Sequence, residues 1–260
     1  MPEQSRQLKS GKIAIITGGS RGLGRNMAQH LAKQGHDIII TYNANKDAAD
    51  AVVAGIEANG GKAAALKLDV GDVPSLAPFM AAVKETLKTK FGSERFDFLI
   101  NNGGMGQTIP FASATENDLD HFYNVHYKGV FLLIQQALPI INDGGRIINI
   151  TAAGTRFTIP GYHIYASMKS GVETLTRYLA KDLGTRQITV NAVAPGAIET
   201  DFNNAAIRNN ENLKKYVIGA TPLGRVGEPD DIGMVIAFLC SDASRWVNGQ
   251  RIEVSGGIYL

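Results

Sequence analysis

Cysteine is nearly absent from this chain. Cys240 is the single one in 260 residues, so no disulfide can close within the chain, and the composition fits a reducing, cytoplasmic setting. Cys240 ends the apolar run from Ile232 to Leu239, where a buried, inert thiol is expected rather than a nucleophile. Long hydrophobic runs are lacking as well. Stretches such as Val130-Phe131-Leu132-Leu133-Ile134 are far too short to span a bilayer. The opening Met1-Pro2-Glu3-Gln4-Ser5-Arg6 has no apolar segment of the kind a secretory signal needs. Excess charge of either sign is missing, since a net +2 gives no reason to expect a nucleic acid or an anionic membrane as partner. His121 and His126 lie five apart without further ligands at suitable spacing, so no metal site is expected. No repeat, low-complexity tract or linker divides the sequence. What is present, 44% hydrophobic and 19% charged residues, suits one α/β domain with ample core material.

Lys12-Ile13-Ala14-Ile15-Ile16 reads as a fully buried strand, being β-branched and almost continuously apolar. It runs into Thr17-Gly18-Gly19-Ser20-Arg21-Gly22-Leu23-Gly24, and a helix follows with Leu23, Met27, Ala28 and Leu31 on one face. Strand, glycine-rich turn and helix together make a phosphate cradle: the glycines let backbone approach a pyrophosphate, which sits against the free N–H groups of the helix start. A tight turn with no ligand is the alternative. A second strand at Ile38-Ile39-Ile40 ends in Thr41-Tyr42-Asn43 without the carboxylate that would hold an NAD ribose. That absence permits NADP, and Arg21 suits a 2′-phosphate by charge and fork geometry. NAD stays open as the alternative.

A helix over residues 47–58 places Ala48, Ala51, Val52 and Ile56 inward, and a third strand from Ala63 to Leu68 leads to Asp69-Val70. Asp69 either bonds an adenine amino group or caps its own turn. The helix over residues 74–91 buries Leu76, Phe79, Met80, Val83 and Leu87, and the fourth strand, Phe96 to Ile100, ends in Asn101-Asn102-Gly103-Gly104. Thr115-Glu116-Asn117-Asp118 opens a long helix as a capping box, stopped before Pro139. Strands at Arg146–Ile150, Ile188–Val193 and Arg251–Val254 bring the total to about seven. Alternating strands and helices predict a parallel sheet covered on both faces. Residues 201–221, polar and weakly periodic, read either as a flap over a pocket or as a surface excursion.

Tyr165-Ala166-Ser167-Met168-Lys169 begins a further helix, with Val172, Leu175 and Leu179 on its apolar stripe. Tyr165 and Lys169 then lie one turn apart on one face. Bringing a phenol from about 10 to about 7 requires about 4 kcal/mol. One ammonium about 4 Å away, at an effective dielectric of about 20, supplies about that much. The pair is therefore adequate as a general acid/base, although the same spacing occurs on many solvated helices.

The ordered set resembles the classical short-chain dehydrogenase/reductase (SDR) family over essentially the whole chain. It comprises Thr17-Gly18 with Gly22 and Gly24, Asp69, Asn101 to Gly104, Tyr165 with Lys169, Pro195-Gly196, and Val247-Asn248-Gly249 with Ser255-Gly256-Gly257. The resemblance implies a Rossmann-like, doubly wound sheet forming a single domain and usually a homotetramer or homodimer. It implies an NADP(H)-dependent oxidoreductase interconverting a carbonyl and a secondary alcohol, with a small molecule as substrate. Lys169 would hold the nicotinamide ribose and Tyr165 would exchange a proton with the substrate oxygen. Cofactor contacts would come from Gly18, Ser20, Arg21, Gly22, Leu23, Gly24, Asn43, Asp69, Val70, Asn102, Gly103, Tyr165, Lys169, Pro195, Gly196, Ile198 and Thr200.

Gly103 stands where alanine is usual, and two further positions depart more consequentially from the family. Its serine, thirteen residues before the tyrosine, is here Ala152, with Thr151 and Thr155 as candidate replacement donors. Its long-helix asparagine is here His126, which a ring nitrogen could make a relay or a backbone partner could simply satisfy. Losing one donor to a developing oxyanion costs about 10²–10³ in rate, so activity is expected to survive. A nucleotide-binding scaffold or redox sensor is the alternative. His163 either lines the pocket or faces solvent, and Phe157, Ile159, Tyr162, Ile198 and Phe202 suggest a partly apolar pocket.

Overall fold

The computed structural model describes residues 11–260; the opening Met1–Arg6 stretch considered above lies outside them. Seven strands form one sheet in the order β3-β2-β1-β4-β5-β6-β7. They are β1 (Ile13–Ile16), β2 (Asp37–Tyr42), β3 (Ala63–Lys67), β4 (Phe96–Asn101), β5 (Ile141–Ile150), β6 (Thr189–Pro195) and β7 (Arg251–Val254). Every pairing is parallel. The helices are α1 (Gly22–Lys33), α2 (Lys46–Ala58), α3 (Val73–Thr86), α4 (Glu116–Tyr123), α5 (Gly129–Ala137), α6 (His163–Asp182), α7 (Phe202–Asn209), α8 (Glu211–Ala220) and α9 (Pro229–Leu239).

Alternation along each strand builds two cores. Ile13 and Ile15 face one side, where Leu76, Phe79 and Val83 of α3, Leu133 and Ile134 of α5 and Val172 of α6 pack. Ala14 and Ile16 face the other, against Met27 and Leu31 of α1, Val52 and Ile56 of α2 and Ile232 and Ile236 of α9. The expected doubly wound arrangement follows, because a parallel sheet apolar on both faces must be covered twice. Strand order reverses direction between β1 and β4, the switch point at which ligands bind beyond the carboxyl ends of strands. Thr17, Asn101, Thr151 and Gly196 all stand at such ends.

Several local expectations need correction. In α2 the inward residues are Ala49, Val52 and Ile56, while Ala51 is exposed. The three- and four-residue spacing of larger side chains sets the stripe, and Ala51 falls outside it. The capping box at Thr115 is present, with Thr115 Oγ1 accepting from Asp118 N at 3.1 Å. The long helix that it opens is not uniform. It widens into a π-type turn over Asn124–Lys128, which displaces His126 from a regular helical position. Residues 201–221 form two helices, α7 and α8. Asn203, Asn204 and Ala205 in α7 have left-handed backbone, with φ of 51°, 57° and 54°.

Candidate active site

The turn after β1 is held in two places. Thr41 Oγ1 accepts from Gly18 N at 3.1 Å, and the Thr41 carbonyl from Gly19 N at 2.9 Å. On the other side, Thr17 Oγ1 accepts from the backbone N–H of Asn102 at 2.9 Å and of Gly103 at 2.7 Å. The Asn102 amide donates to the Thr17 carbonyl at 2.9 Å and the Gly18 carbonyl at 3.2 Å. A Cβ on Gly24 would collide with the Gly18 carbonyl and approach the Asn102 amide to 2.6 Å, so only glycine lets α1 begin this close to the turn. No side chain caps that helix start and its first turn carries no acidic residue, leaving its N–H groups and dipole facing the crevice. Such a cradle fits a dinucleotide's pyrophosphate.

The other predicted contacts ring the same crevice. Arg21 is exposed at the N-cap of α1, and Asn43 is exposed just beyond β2. Asp69 Oδ1 accepts from Gly71 N at 2.9 Å, so one of its oxygens caps the turn. The Val70 carbonyl abuts Gly129, where a Cβ would not fit. Gly196 N donates to the Val254 carbonyl at 2.9 Å, and Ile198 forms a bridge with Gly227. Thr200 lies over Gly22, 3.7 Å from where a Cβ would stand. Ser20 and Leu23 are half-buried in the turn.

Tyr165 and Lys169 share one face of α6, with Lys169 Nζ 5.6 Å from the centre of the phenol ring. The ammonium is buried and donates to the Ile150 carbonyl at 2.8 Å. Burial lowers the Lys169 pKa to about 8. Burial raises that of Tyr165, and the neighbouring Tyr162 adds to the rise. The expectation that one ammonium brings the phenol near neutrality therefore fails for the protein's own groups. Desolvation sets the direction for the phenol, and burial discourages the Lys169 charge as well. Tyr165 is held as a protonated phenol.

His126 is buried and its ring meets that of Tyr165 edge to face, with centroids 5.0 Å apart. Neither ring nitrogen has a hydrogen-bond partner among the described residues. Burial holds its pKa well below the ordinary value, and the Lys169 charge adds to the depression. The Met105 backbone, close without completing a hydrogen bond, acts weakly in the opposite direction. His126 is thus a neutral imidazole beside the phenol. Gly104 makes room for it, since a Cβ there would stand 2.8 Å from His126 Cε1.

Neither threonine replaces the hydroxyl absent at Ala152. Thr151 is buried and its Oγ1 donates to the Val193 carbonyl at 3.3 Å. Thr155 Oγ1 lies 2.9 Å from the Ala152 carbonyl and 2.8 Å from Glu173 Oε1, which claim its proton, and Arg251 donates to it at 3.1 Å. The Thr151 hydroxyl expected to serve as a donor is engaged with β6 instead. His163 packs edge-on against Phe111, with centroids 5.2 Å apart. Of the expected apolar residues, Tyr162 and Phe202 reach the Tyr165 ring, at 5.9 and 6.0 Å between centroids. Phe157 turns away to pack on Tyr259 at 4.6 Å. Among the described residues no three His, Cys, Asp or Glu side chains gather as metal ligands, and no helix is long and apolar enough to cross a membrane.

A family model described as enoyl-(acyl carrier protein) reductase matches residues 18–259. The 3-oxoacyl-(acyl-carrier-protein) reductase of Staphylococcus aureus is 37% identical over 255 residues, covering 97% of this chain and all of that one. The chain belongs to the classical short-chain dehydrogenase/reductase family. As an SDR it is an NAD(P)-dependent oxidoreductase. Two solved structures superpose with a TM-score of 0.92. One is the promiscuous reductase LugOII, which catalyses keto-reduction at C1 during lugdunomycin biosynthesis, 36% identical and covering 96% of this chain and 99% of that one. The other is the angucycline C-6 ketoreductase LanV with bound NADP, 33% identical and covering 96% and 98%.

Sequence reasoning missed Asn203, whose amide donates to the Tyr162 hydroxyl at 2.6 Å. The consecutive asparagines 203 and 204 were the available signal, because asparagine tolerates left-handed backbone. It also missed the charged cluster behind Ala152, in which Arg251 bridges Glu173 and Glu253 at 2.9 Å each.

Proposed function

We propose that this SDR uses NADP(H) to interconvert a ketone and a secondary alcohol, with Tyr165 as the proton-transferring acid/base. The observation that carries the reading is the Tyr165–Lys169 pair on one face of α6, in a fold whose β1–α1 turn forms the glycine cradle. Gly18 to Gly24 would receive the pyrophosphate, and Asp69 with Val70 would border the adenine. Asn102 and Gly103, with Pro195, Gly196, Ile198 and Thr200, would border the nicotinamide half. Bound there, the nicotinamide would supply or accept the hydride at the substrate carbon. Tyr165, protonated at neutral pH, donates its proton to the substrate oxygen in the reducing direction. Lys169 orients the ribose and, as an ammonium, stabilises the phenolate left behind. His126, a neutral imidazole with unsatisfied nitrogens, can relay a proton to that phenolate from one ring nitrogen as the other takes one up from an entering water, and so stays neutral.

NADP over NAD is supported by the lack of a carboxylate at the β2 end and by exposed Arg21 beside it. LanV, solved with NADP, supports the same choice. The aromatic surround of Tyr165, together with the C1 and C-6 keto-reductions named for LugOII and LanV, favours a flat cyclic ketone as substrate. A homotetramer or homodimer is part of the reading. Phe131, Tyr178 and Trp246 are exposed, and light scattering should give twice or four times the 27.8 kDa chain mass.

The test is NADPH oxidation with bicyclic ketones by the wild type and Tyr165→Phe. Turnover should vanish in the variant while NADPH binding persists. Ala152 motivates a second reading, a nucleotide-binding scaffold without turnover. Binding of NADPH with no oxidation over a broad ketone panel would favour it.

A further inference from the structure

We propose that the Tyr162 hydroxyl, oriented by Asn203, is the second hydrogen-bond donor to the substrate oxygen. It would fill the role that Ala152 cannot. This inference rests on Tyr165 being the acid.

Tyr162 is the N-cap of α6, three residues before Tyr165, and the two rings meet edge to face at the helix start. Their centroids are 5.9 Å apart at an interplanar angle of 88°. The hydroxyl accepts from Asn203 Nδ2 at 2.6 Å, which fixes it in place. A phenol can both accept and donate, and no acceptor among the described residues takes its proton. That proton is free for an oxygen that enters beside Tyr165. The hydroxyls of Thr151 and Thr155 are committed to the Val193 and Ala152 carbonyls and to Glu173, so no nearer side-chain hydroxyl competes.

Asn203 is delivered by unusual backbone. Three successive left-handed residues, two of them asparagines and the third the buried Ala205, turn the chain so that Phe202 packs on Tyr165 and Asn203 reaches Tyr162. Left-handed alanine is costly, and such conformations persist only where surrounding contacts enforce them. Asp201 ties the same turn to α7 through its ion pair with Arg208. The flap thus closes the site and aims the donor. Asn203 is a positioning residue, while Tyr162 touches the substrate.

The experiment compares kcat, KM and NADPH affinity for wild type, Tyr162→Phe, Asn203→Asp and Tyr162→Phe combined with Ala152→Ser. It uses 2-tetralone as ketone, with calorimetric binding of 2-tetralol to the NADP-loaded protein as a readout independent of turnover. Tyr162→Phe keeps the ring and its packing. It should lower kcat about 100-fold, the range for removing one oxyanion donor, and weaken tetralol binding while NADPH affinity stays unchanged. Adding Ala152→Ser should restore at least about a tenth of the lost rate, since a hydroxyl returns near the same oxygen. In Asn203→Asp the carboxylate takes the Tyr162 proton, so kcat should fall more than KM rises. A kcat within about twofold of wild type in Tyr162→Phe would overturn the proposal, as would loss accompanied by weakened NADPH binding or loss that Ala152→Ser does not recover. Tyr165→Phe run alongside separates the two failures. If it alone is inactive, only the Tyr162 assignment falls, whereas an active Tyr165→Phe removes the acid itself.

Discussion

Lys169, the residue proposed to hold the ribose, is placed at the expense of stability. Its ammonium is buried, has one carbonyl as hydrogen-bond partner and titrates near 8 instead of 10.5. Unfolded chains hold that proton up to pH 10.5, so between pH 8 and 10.5 the unfolded state binds more protons than the fold, and stability rises with pH. Below 8 the penalty is present in full. The wild type should therefore gain about 2 kcal/mol relative to Lys169→Met between pH 7 and 9.5, measured as the difference of urea-unfolding free energies at the two pH values. An unchanged difference would show that the lysine is not desolvated. Gly104→Ala tests the neighbouring histidine. The new methyl would press on His126 Cε1, costing about 1–3 kcal/mol by overpacking and lowering kcat as the imidazole is pushed toward Tyr165. Placement of the Tyr165–Lys169 pair on one face was legible from spacing alone. Its titration was not, because a sequence gives the sign of the neighbouring charge but not the depth of burial that outweighs it. His126 was visible as a departure, but that both of its nitrogens are unsatisfied depends on how the π-type turn seats the ring.

Residues 201–221 and β7 show what an element adds to its residues. Weak periodicity in residues 201–221 hid two helices, because left-handed Asn203, Asn204 and Ala205 break the phase at the start of α7. The β7 strand was plain from its pattern, yet its charged residues organise the floor behind Ala152. Arg156 donates to both Glu253 oxygens, at 2.8 and 2.7 Å, and to the Ile258 carbonyl, joining the strand to the chain's last turn. Its guanidinium, chiefly, holds the Glu253 pKa at about 2, with Ser255 and Arg251 assisting. A carboxylate whose folded value is depressed stabilises above its ordinary 4.5 and loses that contribution as pH falls toward 2. Glu253→Gln should cost about 1–2 kcal/mol at pH 7, discounted for partial solvent access. The gap from wild type should close between pH 4.5 and 2 in acid-unfolding curves. A gap independent of pH would mean the loss is one of packing.

At the scale of the whole molecule, two cores pack on the two faces of one sheet, so a ligand bound along its carboxyl edge stabilises the folded chain as a unit. That edge was predictable, since strand–glycine turn–helix and the later strand ends all point to one side of a parallel sheet. The cofactor preference proposed for it rests on exposed Arg21 and on the missing carboxylate after β2. A ligand that binds only the folded chain adds about 2.7 kcal/mol at one hundred times its Kd. In a domain of this size that amounts to a rise in Tm of about 5–10 °C. NADPH should give such a rise and NADH a smaller one at equal concentration. Arg21→Ala should remove most of the difference by weakening NADPH alone, because a guanidinium pairs with the 2′-phosphate and has nothing to pair with on the unphosphorylated ribose. Calorimetric Kd values for the two cofactors check this directly. If the variant lowers both affinities equally, Arg21 steadies the helix start, and the choice of cofactor lies with other residues around the β2 edge, Asn43 first among them.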